Sequence, residues 1–329
     1  MTQNFQQILA QTWRLIWRNK ILWFFGFFVV LITQETEIVL RNQLVFSDQT
    51  LSASSWHELF TNGFGGILSS IWASLTETTA STIVGSLIVL MILALFAWLM
   101  VASIGALIDS IAQLDKGKKI TFNGAMVSGH KYFWKNLSII VLAKVVDYGV
   151  LILMAVLVSL MLLHSIGLWL GAVLAVITFV VSLIVSFVAR YAAGFVVVNN
   201  ENTFQAIRSG WNLFVKNWID SVEMAILLFA INLVVNLAIL LVIALIVLPF
   251  FILILVMNSG DYTSLANFFF GSALVLVLIV AVLLGSVLSA FQYSAWVTTF
   301  LRLKEGQKPS WLLRLSNRLT GQKQPKAVK

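Results

Sequence analysis

The stretch that decides the fold reads Ile83-Val84-Gly85-Ser86-Leu87-Ile88-Val89-Leu90-Met91-Ile92-Leu93-Ala94-Leu95-Phe96-Ala97-Trp98-Leu99-Met100-Val101-Ala102-Ser103-Ile104-Gly105-Ala106-Leu107-Ile108, without one charged residue. As an α-helix it would be close to 40 Å long at about 1.5 Å per residue, more than the roughly 30 Å of a bilayer's hydrocarbon core. Four more runs have the same character: Leu137–Leu163, Ile166–Phe187, Met224–Met257 and Phe268–Leu301. The last two exceed a perpendicular span, so they must tilt, kink or project beyond the membrane. Pro249 marks where the Met224–Met257 run would bend or end. A shorter run, Ile21–Thr33, has only 13 residues and reads as a short spanning helix because of the charges on either side of it. No small-residue cleavage site follows Ile32, and Gln34, Glu35 and Glu37 come next, which is unlike a secretory signal.

The whole chain agrees with these runs. Its 329 residues are 60% hydrophobic and 10% charged, with a mean hydropathy of +0.97. Soluble domains carry roughly 45–50% apolar and about 25% charged residues, so a soluble enzyme is excluded. There is no cysteine, which removes disulfides, thiolate metal sites and thiol nucleophiles. The expected fold class is all-α: a polytopic bundle of six transmembrane helices with amphipathic interfacial helices.

Charge sets the expected orientation. Arg14, Arg18 and Lys20 precede the first run, whereas the segment from Gln34 to Ser81 holds Arg41 against Glu35, Glu37, Asp48, Glu58 and Glu77. Lys116, Lys118, Lys119, Lys131 and Lys135 fill the next loop, Arg190, Arg208 and Lys216 a later one, and eight basic residues follow Leu301. Thus 19 of the 21 Lys and Arg fall on one side, all but Arg41 and Lys144. The positive-inside rule then places both termini in the cytoplasm of a cell-membrane protein. The net charge of +8 sits beside membrane ends rather than in a soluble patch, so it points to anionic headgroups and not to nucleic acid.

Three segments resemble one another: Trp13-Arg14-Leu15-Ile16-Trp17-Arg18-Asn19, His130-Lys131-Tyr132-Phe133-Trp134-Lys135-Asn136 and Trp211-Asn212-Leu213-Phe214-Val215-Lys216-Asn217. A phenylalanine precedes each, at Phe5, Phe122 and Phe204. Helical spacing puts Phe5, Leu9, Trp13, Ile16 and Trp17 on one face, and Phe204, Ile207, Trp211 and Phe214 on another. Such helices lie among headgroups. Their candidate lipid contacts are Trp13, Trp17, Arg18, Trp134, Lys135, Trp211 and Lys216, with Arg190 at an inner helix end. The expectation is one transmembrane domain over 1–303, made of three parallel repeats at about 1–108, 109–200 and 201–303. Residues 304–329 form a basic tail, with an amphipathic stretch from Pro309 that carries Trp311 and Arg314. Outside, residues 34–81 read as one or two short interfacial helices.

Chemistry is sparse. There is no Gly-rich phosphate loop, no His-Glu-x-x-His and no Gly-x-Ser-x-Gly. His57, His130 and His164 lack ligand spacing, so no metal and no cofactor are expected. The polar candidates at membrane depth are Lys144 and Asp147, three apart on one helix face, with Glu223, Asn232 and Asn236. Charges at such depth are costly and usually face a bundle interior. They read either as a substrate or proton site or as a self-neutralising pair, and Glu223 lies at a depth suited to Lys144. Asn232 and Asn236 read as inter-helix glue worth roughly 0.6–2 kcal/mol. Gly167 and Gly171 would permit close helix approach.

The segments Arg190-Tyr191-Ala192-Ala193 and Phe204-Gln205-Ala206-Ile207-Arg208-Ser209-Gly210-Trp211, with the three aromatic-basic-Asn stretches, resemble the membrane domain found with some glycerophosphoryl diester phosphodiesterases and alone in other prokaryotic membrane proteins. The resemblance spans most of 1–303 and implies a membrane module. It carries over no catalytic residue, because the phosphodiesterase activity belongs to a separate soluble domain for which this chain has no room. The functional expectation is a non-enzymatic module that organises lipid or a protein partner. The alternative is a small secondary transporter or lipid-translocating protein, which would need its polar residues around a ligand-sized cavity near the midplane.

Overall fold

The computed structural model describes residues 5–33, 80–163, 168–258 and 263–306. Among them no strand occurs, and the helices run in the order α1 (Phe5–Arg18), α2 (Ile21–Thr33), α3 (Ala80–Asp115), α4 (Phe122–Lys131), α5 (Phe133–Leu163), α6 (Leu168–Asn199), α7 (Thr203–Lys216), α8 (Trp218–Asn258) and α9 (Thr263–Lys304). α3, α5, α6, α8 and α9 are long and apolar enough to cross a membrane. α2 has 13 residues, about 20 Å at helical rise, and packs between α3 and α9. The expected helices in 34–81, the turn at His164, Gly167 of the close-approach pair, and the tail stretch with Trp311 and Arg314 lie outside the described residues.

Several helix ends differ from the hydropathy reading, most of all two C-termini. The apolar runs ending at Ile108 and Phe187 continue as helix to Asp115 and Asn199, because the projecting turns are buried by the short helices. α8 also runs uninterrupted through Pro249. Proline removes one ladder hydrogen bond, but in a membrane helix the freed group is re-satisfied locally and the helix continues.

The joints explain the chain's course. α3, α6 and α9 each stop at a left-handed residue: Gly117 (φ 73°), Asn200 (φ 57°) and Gly306 (φ 76°). After α3 the Gly117 amide bonds the Leu114 carbonyl and the Lys118 amide bonds that of Gln113, a closure that satisfies carbonyls the helix leaves unpaired. Thr121 then caps α4, its hydroxyl accepting from the Gly124 amide at 3.2 Å.

The short helices α1, α4 and α7 gather at the end where α3, α6 and α9 finish, called the collar end below. α4 lies on α3, α7 on α6 and α1 on α9. α3, α6 and α9 also touch one another at the centre, while α2, α5 and α8 pack against α3, α6 and α9 respectively. Asp115 at the end of α3 pairs with Arg302 of α9 at 2.7 Å, and the Lys304 ammonium donates to the Asn199 side chain at the end of α6.

Burial concentrates at the collar. Ile104, Leu107 and Ile111 of α3, Phe187 and Tyr191 of α6, and Trp296 of α9 are buried. Toward the far end the faces open: Val84 to Leu95, Val173 to Val180 and Leu233 to Leu248 include many exposed aliphatic side chains. A membrane supplies the contact there that protein supplies at the collar.

Candidate functional site

The short helices α1 and α7 show three faces, and for α4 the matching tryptophan, Trp134, stands in the first turn of α5. The face against the bundle is made of small and aliphatic residues together with Phe5 and Phe214. Ile8, Ala125 and Ala206 are buried, as are Thr12, Gly129 and Gly210 one turn later. These fall at matching distances before Asn19, Asn136 and Asn217. The fit is close. A methyl on Gly129 would stand 2.5 Å from the Ala102 carbonyl oxygen, and one on Gly210 would stand 3.0 Å from the Val188 oxygen. Small residues let backbones approach where packing, rather than water, drives association.

The tryptophans and Phe204 do not occupy that face. Trp134 is 74% exposed, Trp13, Trp17 and Trp211 are about half exposed, and Phe204 is exposed as well. Helical spacing put Trp13 and Trp17 with Ile16, and Trp211 with Phe214. In the structure Ile16 and Phe214 are buried, and the tryptophans lie beside them on the rim. Ring contacts tie this rim to the bundle: Trp13 meets Phe291 of α9 at 5.6 Å, and Trp17 meets Trp23 of α2 at 5.1 Å. The third face is basic and exposed, with Arg14, Arg18, Arg208 and Lys216.

Lys135 is partly committed to protein. Its ammonium donates to the Asn200 carbonyl and side-chain oxygens at 3.3 Å and to the Glu201 carbonyl at 3.2 Å. It neutralises the carbonyl end of α6, a role the spacing did not reveal. Arg190, expected at headgroups, stacks over Trp296 at 5.1 Å. It lines a central cavity with Tyr191, Tyr293 and Trp296. The cavity holds about 10 Å³, the space of a single water.

Asp147 has Ser182 of α6 as hydrogen-bond partner and Lys144 as its neighbouring charge. Its Oδ1 is buried without a hydrogen-bond partner among the described residues. Lys144 also lies 6.0 Å from the Tyr148 ring centroid. On α8 the Asn236 amide donates to the Asn232 side-chain oxygen at 2.7 Å. α5 packs against α6 and α3, whereas α8 packs against α9, so the two polar sets belong to different helix pairs. Glu223, also on α8, is half-buried. The central cavity is lined by none of these residues.

The reading of residue types missed three polar groups. Asp220 is fully buried in the first turn of α8, where unpaired amides favour an acid. The Tyr191 hydroxyl meets Ser221 at 2.7 Å. Asp109 receives hydrogen bonds from Ser128 of α4 and Gln113. An acid two or three residues past a helix start was the available signal for Asp220. Nothing local marks Asp109 as a link between α3 and α4. Among the described residues no group of His, Asp and Glu is arranged to hold a metal.

These features define a polytopic all-α membrane protein. The chain belongs to the family described as Domain of unknown function (DUF7847), whose model matches residues 4–303. No curated protein matches the chain, and no solved structure matches it.

Proposed function

We propose that this is a non-enzymatic membrane module that organises lipid around a three-part collar on the cytoplasmic side. The observation that carries the reading is that α1, α7 and the α4–α5 joint each bury one face on the bundle and leave tryptophan and basic side chains exposed beside it. Aromatic and basic side chains presented together are suited to the headgroup layer, with anionic lipids favoured by the Lys and Arg. The charge bias of the loops supports cytoplasmic termini, and the cyclic stacking of α4 on α3, α7 on α6 and α1 on α9 supports three parallel repeats. The resemblance to a phosphodiesterase-associated membrane domain is consistent with such a module. The small central cavity and the separate placement of Lys144–Asp147 and Asn232–Asn236 favour this reading over transport.

The test uses single cysteines in place of Trp13, Trp134 and Trp211, since the chain has no other cysteine. Each carries a fluorescent label in vesicles with quenchers fixed at headgroup or mid-chain depth. Headgroup quenchers should dominate at all three sites, more strongly with phosphatidylglycerol present. Dominance of an aqueous quencher, or no quenching at all, would overturn the collar reading.

A further inference from the structure

The contacts between helices follow a cyclic rule with one break. α2 packs on both α3 and α9, and α5 packs on both α6 and α3; by the same rule α8 should pack on α9 and α6. It packs on α9 and, among the described residues, forms no extended packed pair with α6. The two helices are joined near the collar, where the Tyr191 hydroxyl meets Ser221 at 2.7 Å.

We propose that the gap between α6 and α8 is a lateral cleft that takes the acyl chain of a membrane lipid. Helical periodicity defines its walls. On α6 the stripe above Tyr191 runs through Phe187, Ile184, Val180, Ile177 and Val173, all within about 40° of one line at 100° per residue. Exposure along it rises from 1% at Tyr191 and 4% at Phe187 to 46% at Val180, 51% at Ile177 and 53% at Val173. On α8 the stripe above Ser221 passes buried Leu228 to half-buried Asn232 and exposed Asn236. The cleft is therefore shut at its collar end and widens with distance from it. Both walls belong to helices long and apolar enough to cross a membrane, and the α6 wall is wholly aliphatic above Phe187. At that depth in a bilayer the matching occupant is a hydrocarbon chain, whose contact replaces the missing helix–helix packing. Asn232 and Asn236 bond each other at 2.7 Å, which reduces the cost of two amides on an apolar wall.

This inference rests on the lipid-organising reading but fails separately from it. The full chain with Val180→Cys, or with Leu278→Cys on the exposed face of α9 as control, is labelled with benzophenone maleimide. It is reconstituted in phosphatidylcholine–phosphatidylglycerol nanodiscs. Irradiation should give lipid adducts at both positions in nanodiscs. When irradiation instead follows extraction and washing in detergent, the adduct should still form at 180 and be absent at 278. Equal loss at both sites overturns the proposal, as does crosslinking from 180 to residues 34–79 or to a second copy. A Val180→Cys, Asn232→Cys pair that oxidises readily to a disulfide overturns it too, because the walls would then be in contact. If the collar labels report headgroup depth while position 180 holds no lipid, the cleft alone is refuted.

Discussion

At the residue scale, the collar depends on a few contacts that tolerate little change. The Arg302–Asp115 pair has only 14% and 13% of its side chains exposed, so the geometry is shielded more than that of a surface ion pair, although Glu305 at 3.6 Å also shares the guanidinium. Removing one partner of a buried charged hydrogen bond leaves the other unsatisfied, at about 1–3 kcal/mol. Arg302→Met should therefore lower the unfolding midpoint in lipid, and adding Asp115→Asn should recover part of the loss, as a double-mutant cycle by thermal denaturation would register. Equal, additive losses would mean that the two residues act independently. Asn200 shows how residue type meets backbone demand: its φ of 57° is a conformation that asparagine accepts better than most residues.

At the element scale, α4 and α7 are held by close approach at a glycine, whereas α1 buries larger side chains, Phe5, Ile8 and Ile16. Gly129 and Gly210 occupy the same position in α4 and α7, and each backs directly onto a long helix. Gly129→Val should push α4 from α3, at a cost of about 1–3 kcal/mol typical of overpacking. Gly85→Ala is the control: no atom lies within 4 Å of the added methyl, and it should leave stability unchanged or slightly raised. Thermal melts of the two variants, with protease accessibility of the α3–α4 turn, check this. A neutral Gly129→Val would show that α4 is not seated on α3. The periodicity of α1, α4 and α7 was legible as amphipathic, but it did not say which flank packs. Tryptophan and isoleucine are both apolar by type, and only the distance of closest approach selects the small flank for protein and the aromatic flank for the rim.

At the scale of the whole molecule, the expected six crossings require α2 to continue to the far side of the membrane. Cysteines replacing Gln6 and Glu58, one at a time, should react with a membrane-impermeant maleimide from opposite sides of sealed vesicles. Labelling of both from the same side would remove the first crossing and reverse the charge argument for that segment. Composition and hydrophobic run length by themselves determined that this is an all-α membrane protein, since about 20 apolar residues leave the backbone no stable form in hydrocarbon except a helix. Hydropathy ended these helices too early, at Ile108, Phe187 and Leu301, whereas α3, α6 and α9 run on to the left-handed residues Gly117, Asn200 and Gly306. Which helices are neighbours was not local information. In so apolar a chain every face of a long helix looks alike, and membrane partners are chosen by shape and small-residue fit, not by the contrast between polar and apolar faces that orients soluble helices. Only the tertiary structure therefore decided that Arg190 turns to Trp296, that Asp220 is buried, that Lys144–Asp147 and Asn232–Asn236 lie on separate helix pairs, and that α8 leans on α9 and away from α6.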